Sequence, residues 1–160
     1  MSLQYVIDGY NIINHPHFRQ RHKEILNPAE SLSAFIQEKR LGGSTKNKII
    51  IVFDGYPSGS EAVQTRPGHS LVYSRKLSAD EKIKRIVEES ADRKNIVVIS
   101  DDKEVKLTAR FLGARVMGVE EFVRAKVQRR SLREDDSKNA ELSYSAMHKI
   151  NQELRKIWLE

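Results

Sequence analysis

Tyr5-Val6-Ile7-Asp8-Gly9-Tyr10-Asn11 is the stretch that decides the fold class. A short strand-type run, Tyr5 to Ile7, stops at a carboxylate followed by a glycine. Such a run reads as a buried strand that ends in a tight turn. The device recurs twice. Ile49-Ile50-Ile51-Val52-Phe53 ends at Asp54-Gly55, and Ile96-Val97-Val98-Ile99 ends at Ser100-Asp101-Asp102. If these strands are parallel neighbours, their C-terminal edges lie side by side and the acids converge. That edge is where open α/β sheets hold ligands.

Between these strands lie helical patterns. Ile12 and Ile13 are expected to pack under the sheet edge, with Pro16 limiting any helix before it. Asn27-Pro28 gives an N-cap followed by proline at the first helical position, and Leu32, Phe35 and Ile36 recur at helical spacing. Gly42-Gly43 is the expected stop. Residues 55–69, with two prolines and three glycines, form a long loop. Leu71-Val72-Tyr73 is a short third strand. Helices follow from Ser78 to about Arg93 and from Asp102 to Leu112, the second stopped by Gly113. A fifth strand, Ala114 to Met117, precedes a helix from Val119 to about Gln128. Strands alternating with helices give an α/β class with a mainly parallel central sheet and helices on both faces.

The expected organisation is a domain over residues 1–127, a polar linker over 128–138 and a C-terminal amphipathic helix over 139–160. Leu142, Met147, Ile150, Leu154, Ile157 and Trp158 make the apolar stripe of that helix. It either packs on its own domain or pairs two copies into a homodimer. The formal net charge is +6. Basic surroundings attract a polyanion, while a local cluster of acids holds a cation that meets its phosphate. The chain has no cysteine, which excludes disulfides and thiolate metal sites. No apolar run approaches the length of a membrane span, and the start lacks a signal-peptide pattern. A soluble cytoplasmic protein is expected.

The acids to weigh are Asp8, Asp54, Asp80, Glu81, Asp101 and Asp102. Carboxylates gathered in one crevice repel one another and call for a cation. Oxygen ligands with open positions suit Mg2+ or Mn2+. Such ions hydrolyse phosphodiesters without a covalent nucleophile on the protein. Each acid also has a structural reading. Ser78-Ala79-Asp80-Glu81 fits a capping box, Ser100 can cap the helix that Asp101 and Asp102 open, and Asp54 before Gly55 can simply bend a turn. Asn11 either orients a carboxylate or caps a helix. Glu120 and Glu121 are a helix start or a peripheral carboxylate. Arg66, His69, Arg75 and Lys76 flank the site side and are candidates for phosphate contacts. His15 and His17 read as a surface loop, and Arg124, Lys126, Arg129, Arg130 and Arg133 as a basic run after the core.

Taken in order, these motifs resemble the YacP-like NYN-domain family, a branch of the PIN-like nucleases. Val6-Ile7-Asp8-Gly9-Tyr10-Asn11-Ile12-Ile13 resembles its opening motif and Val52-Phe53-Asp54-Gly55 its second-strand motif. Ser78-Ala79-Asp80-Glu81-Lys82-Ile83 resembles its helix start. Val97-Val98-Ile99-Ser100-Asp101 resembles its fourth-strand end, with Gly113 to Val116 and Glu121-Phe122 after it. The match runs from about residue 4 to 123. The resemblance implies a PIN-like three-layer α/β/α fold and metal-dependent endonuclease activity on RNA, in some members linked to ribosomes. It implies Asp8, Asp80 and Asp101 as metal-binding acids, Asn11 and Asp54 as their supports, and Ser78 as a hydroxyl beside the site. Asp102 is a further ligand candidate. Ile99 stands where the family pattern has threonine.

The expected function is therefore a Mg2+- or Mn2+-dependent endoribonuclease. Its rivals are a non-catalytic RNA- or ribosome-binding module and a metal-dependent phosphatase on a small substrate. The phosphatase lacks the second acid two residues after Asp8 that aspartyl-phosphate chemistry requires.

Overall fold

The computed structural model describes residues 2–21, 27–57 and 66–124. Five strands form one sheet: β1 (Gln4–Asp8), β2 (Lys48–Phe53), β3 (His69–Tyr73), β4 (Ile96–Ile99) and β5 (Arg115–Met117). Their order is β3-β2-β1-β4-β5, and every pairing is parallel. The helices are α1 (Gly9–Ile13), α2 (Pro16–Arg21), α3 (Pro28–Glu38), α4 (Ala79–Glu89) and α5 (Lys103–Phe111). A further helix, α6, begins at Val119 and is described over 119–124.

The interiors of β1, β2 and β4 are apolar and rich in Val and Ile because both faces of the sheet are covered. Side chains alternate across the pleat. Tyr5, Ile7, Ile49, Ile51, Phe53, Val97 and Ile99 meet Ile12, Phe18, Leu32, Phe35, Ile36, Val119 and Phe122 on one side. Val6, Val52, Ile96 and Val98 meet Ile83, Val87, Val105 and Ala109 on the other. So α1, α2, α3 and α6 make one outer layer and α4 and α5 the second. This is the expected three-layer α/β/α arrangement.

The local signals hold with some changes of boundary. Asn27 caps α3 by accepting from the Glu30 N–H at 3.2 Å, with Pro28 opening the helix. Yet α3 stops at Glu38, before Gly42-Gly43. Its closing turn runs through Arg40 at φ +49°, with the Leu41 N–H on Ile36 O and the Arg40 N–H on Gln37 O. Gly42 serves a different need: a Cβ there would sit 2.7 Å from Ile49 Cδ1. The segment after β1 is two short helices, and Pro16 opens the second of them. α4 ends at Glu89, four residues before the expected stop. Strand β3 starts two residues earlier than its apolar core suggests. Gly113, at φ +95°, ends α5 as anticipated. The linker over 128–138, the helix over 139–160 and most of the 55–69 loop lie outside the described residues. Among those described, no helix is long and apolar enough to cross a membrane.

Candidate functional site

The strand order creates the site. The chain starts mid-sheet, runs outward through β2 and β3, and returns to place β4 on the other side of β1. The reversal lies between β1 and β4, and ligands bind such sheets outside the strand ends at that point. Asp8 is the last residue of β1, and Asp101 and Asp102 follow β4.

A crevice of about 580 Å³ opens at the C-terminal ends of β1 and β2, lined by Asp8, Tyr10, Asn11, Asp54, Gly55, Ser78, Ala79 and Asp80. Pleat parity explains its membership. Asp8 shares parity with Val6, whose side faces α4, and the first turn of α4 carries Asp80. Asp54 shares parity with Val52 on the same face. Asp8 is 5% exposed. Burial, then the charge of Asp80, pushes its carboxyl up from 3.8 to about 6; Asn11 opposes this by hydrogen bonding and Asp102 adds to it. Asp80 is also pushed up, first by burial and then by Asp102, Glu104 and Asp54. Asp54, Asp102 and Glu104 therefore act by charge on Asp80, and Asp80 and Asp102 on Asp8; Glu104 was not visible as a contributor from motifs. Its signal is its place in the first turn of α5.

Asn11 is neither a cap nor a bystander. It lies inside α1, its Nδ2 donates to Asp8 Oδ2 at 2.6 Å, and its Oδ1 accepts from the Asp101 N–H at 3.2 Å. It ties the end of β1 to the end of β4. Asp54 is held by Ser74, whose hydroxyl donates to Asp54 Oδ1 at 3.0 Å and accepts from the Gly55 N–H. Ser74, buried after β3, escapes a motif reading because its partner stands twenty positions away. Ser78 caps α4 by accepting from the Glu81 N–H, while its residue lines the crevice.

The two acids after β4 separate. Asp101 has the parity of Val97 and Ile99, which face α6. Its Oδ1 accepts from the Val119 N–H at 2.9 Å, so this carboxylate holds the start of α6 and is not among the crevice lining. Asp102 caps α5 in place of Ser100, with Oδ1 accepting from Glu104 and Val105 N–H groups. Asp102 still acts by charge on both Asp8 and Asp80. Arg75 and Lys76 follow β3 at the crevice edge, exposed, with the Arg75 N–H on Gly55 O at 2.8 Å. Arg66 and His69 stand at the start of β3, the opposite end of the sheet. There Arg66 donates to Gln37, and His69 pairs with Ser33. Glu120 starts α6 and pairs with Arg124 and His15.

The donor chemistry fits a hard divalent cation. The ligands on offer are oxygens, they repel, and among the described residues no Lys or Arg pairs with Asp8, Asp54, Asp80 or Asp102. No group of three His, Cys, Asp or Glu among the described residues is gathered closely enough to hold one ion.

A parallel α/β/α sheet with acids crowded at its switch point is the architecture of a PIN-like nuclease. A model of the YacP-like NYN domain matches residues 5–160, and the chain belongs to that family. The family is one of PIN-like nucleases, which gives the chain an RNA-related nuclease character at that level. Two crystal structures of Rae1 (YacP) from Bacillus subtilis share the fold. One matches with a TM-score of 0.59 at 22% identity, over 98% of this chain and 92% of the other. The second, of a tryptophan-to-leucine mutant, has a TM-score of 0.60 at 22% identity, over 88% and 86%. No curated protein matches the chain.

Proposed function

We propose that this protein is a Mg2+- or Mn2+-dependent endoribonuclease. The observation that carries the proposal is Asp8: a buried carboxylate facing Asp80 and Asp102, with no basic partner among the described residues. A carboxylate in that setting is costly unless a cation completes it. Asp8 and Asp80 would hold the ion, and Asp102 would add negative charge beside it. When bound, such an ion makes a nucleophile from water at neutral pH and offsets charge on the leaving oxygen. Asn11 fixes the Asp8 carboxylate through its 2.6 Å hydrogen bond. Asp54, anchored on Ser74, faces the same crevice and can orient the attacking water. Arg75 and Lys76 supply charge for the RNA backbone at the rim.

RNA as substrate, and a ribosome that presents it, rest on the family. The test is cleavage of mixed labelled RNAs with Mg2+, Mn2+ or EDTA, comparing wild type with Asp8→Asn, Asp101→Asn and Asp102→Asn. Metal-dependent cutting that Asp8→Asn abolishes supports the proposal. RNA bound in EDTA with no cutting by any protein points instead to a binding module.

A further inference from the structure

The crevice has one wall that metal chemistry does not use. Tyr10 lies two residues beyond Asp8, in α1, and lines the same space as Asp8, Asp54 and Asp80. It is an aromatic residue left 42% exposed, while most large apolar side chains among the described residues are buried or half-buried. Its ring is nonetheless held. It meets Phe53 edge to face at 5.4 Å and 85°, and Phe53 stacks on Tyr73 at 5.8 Å and 29°. Burial, then the charge of the Tyr10 phenol, pushes the Tyr73 hydroxyl up. Gly9 makes the stack possible, because a Cβ there would lie 2.6 Å from the Phe53 ring. The result is a preorganised aromatic surface beside the acids.

We propose that Tyr10 is the stacking platform for one unpaired nucleobase of a single-stranded RNA, next to the phosphodiester held at the acids. This rests on the ribonuclease reading above and adds a base subsite to it. An aromatic face takes any base, because every base has a π-face, and it requires the base to be out of a duplex. The ring is already ordered by Phe53, so little freedom is lost when a base lands on it. Arg75 and Lys76 stand at the end of the adjoining β3 strand, where they can hold the phosphates that flank the stacked base. The subsite thus selects single strands and sets which phosphate reaches Asp8 and Asp80.

The experiment measures binding by fluorescence anisotropy with calcium in place of magnesium, the RNA being checked as intact. The probes are a short labelled single strand, the same sequence as a duplex, and single strands with one abasic nucleotide at successive positions. Tyr10→Ala is expected to loosen the single strand by about 5- to 150-fold, the range that base–aromatic stacking carries. Tyr10→Phe, which keeps the ring, stays within about twofold of wild type. An abasic nucleotide at one position costs wild type a similar factor and costs Tyr10→Ala nothing further. The proposal is overturned if Tyr10→Ala binds as wild type does. It is also overturned if Tyr10→Phe loses as much as Tyr10→Ala, or if the duplex loses as much as the single strand. If Tyr10→Ala fails to fold, the abasic series on wild type decides alone, and indifference at every position overturns the subsite. A wild type that neither binds nor cleaves RNA refutes the ribonuclease reading and the subsite together; one that cleaves RNA while ignoring abasic positions removes only the subsite.

Discussion

Asp8 carries a signature that melting can read. Its folded value, about 6, lies above the ordinary 3.8. A group shifted this way favours the fold when protonated, so the stability it contributes is present below about pH 4 and is lost as pH rises through about 6. Asp8→Asn removes the charge and keeps an acceptor for Asn11. In EDTA at about pH 7.5 this variant is expected to exceed wild type by on the order of 2–3 kcal/mol, a rise in Tm of several degrees, and the gain should shrink to nothing near pH 4. Melting curves at both pH values check this; an equal Tm at both removes the buried charge as the cause. Adding Mn2+ should raise the Tm of wild type and leave Asp8→Asn unmoved, by mass action on the folded state. Much of this was legible in the sequence, since an acid at the end of an apolar strand has few places to go. The division of Asp101 from Asp102 was not legible, because pleat parity separates them only once the layer above each face is known. Ser74 and Glu104 were not, because each joins the site through a partner that spacing does not name.

At the scale of elements, the caps carry the testable energies. Asp102 accepts from two N–H groups of α5, and Asp102→Ala should cost about 1 kcal/mol through the lost cap. Denaturant unfolding measures that, separately from any effect on cleavage. Arg40 turns the chain at φ +49° where glycine is the favoured residue, so Arg40→Gly should stabilise by about 0.5–1 kcal/mol, and a loss would show that its side chain holds the turn. Gly9→Ala should destabilise by about 1–3 kcal/mol, since its Cβ would overlap the Phe53 ring. The sequence showed α3, α4 and α5 because each repeats its apolar face for more than two turns. It did not show α1, whose five residues are too few for a helical period, nor the early end of α3, where Arg40 does what the nearby glycines were expected to do.

The whole molecule sets the long-range behaviour. The parallel sheet and its two helical layers followed from alternating apolar runs. The order β3-β2-β1-β4-β5 did not, because nothing local records which strand lies beside which. With a net charge of +6, RNA affinity is expected to fall with salt. If about three phosphates are neutralised, the slope of log K against log salt is about −2 for a single strand. A titration of binding with potassium chloride checks this, and a flat response would exclude backbone contacts by Arg75 and Lys76.

The pairing of β1 with β4 also governs when the protein comes into being. Gln4 pairs with Ile96, which comes about 90 residues later in the chain. At about 5–20 residues per second, a growing chain waits on the order of 5–20 seconds between making Asp8 and making the β4 strand that pairs beside β1. Until then the switch point does not exist, and Asp8 stands without Asn11's link to β4. A chain halted before Ile96 therefore lacks the β1–β4 junction that Asn11 ties together.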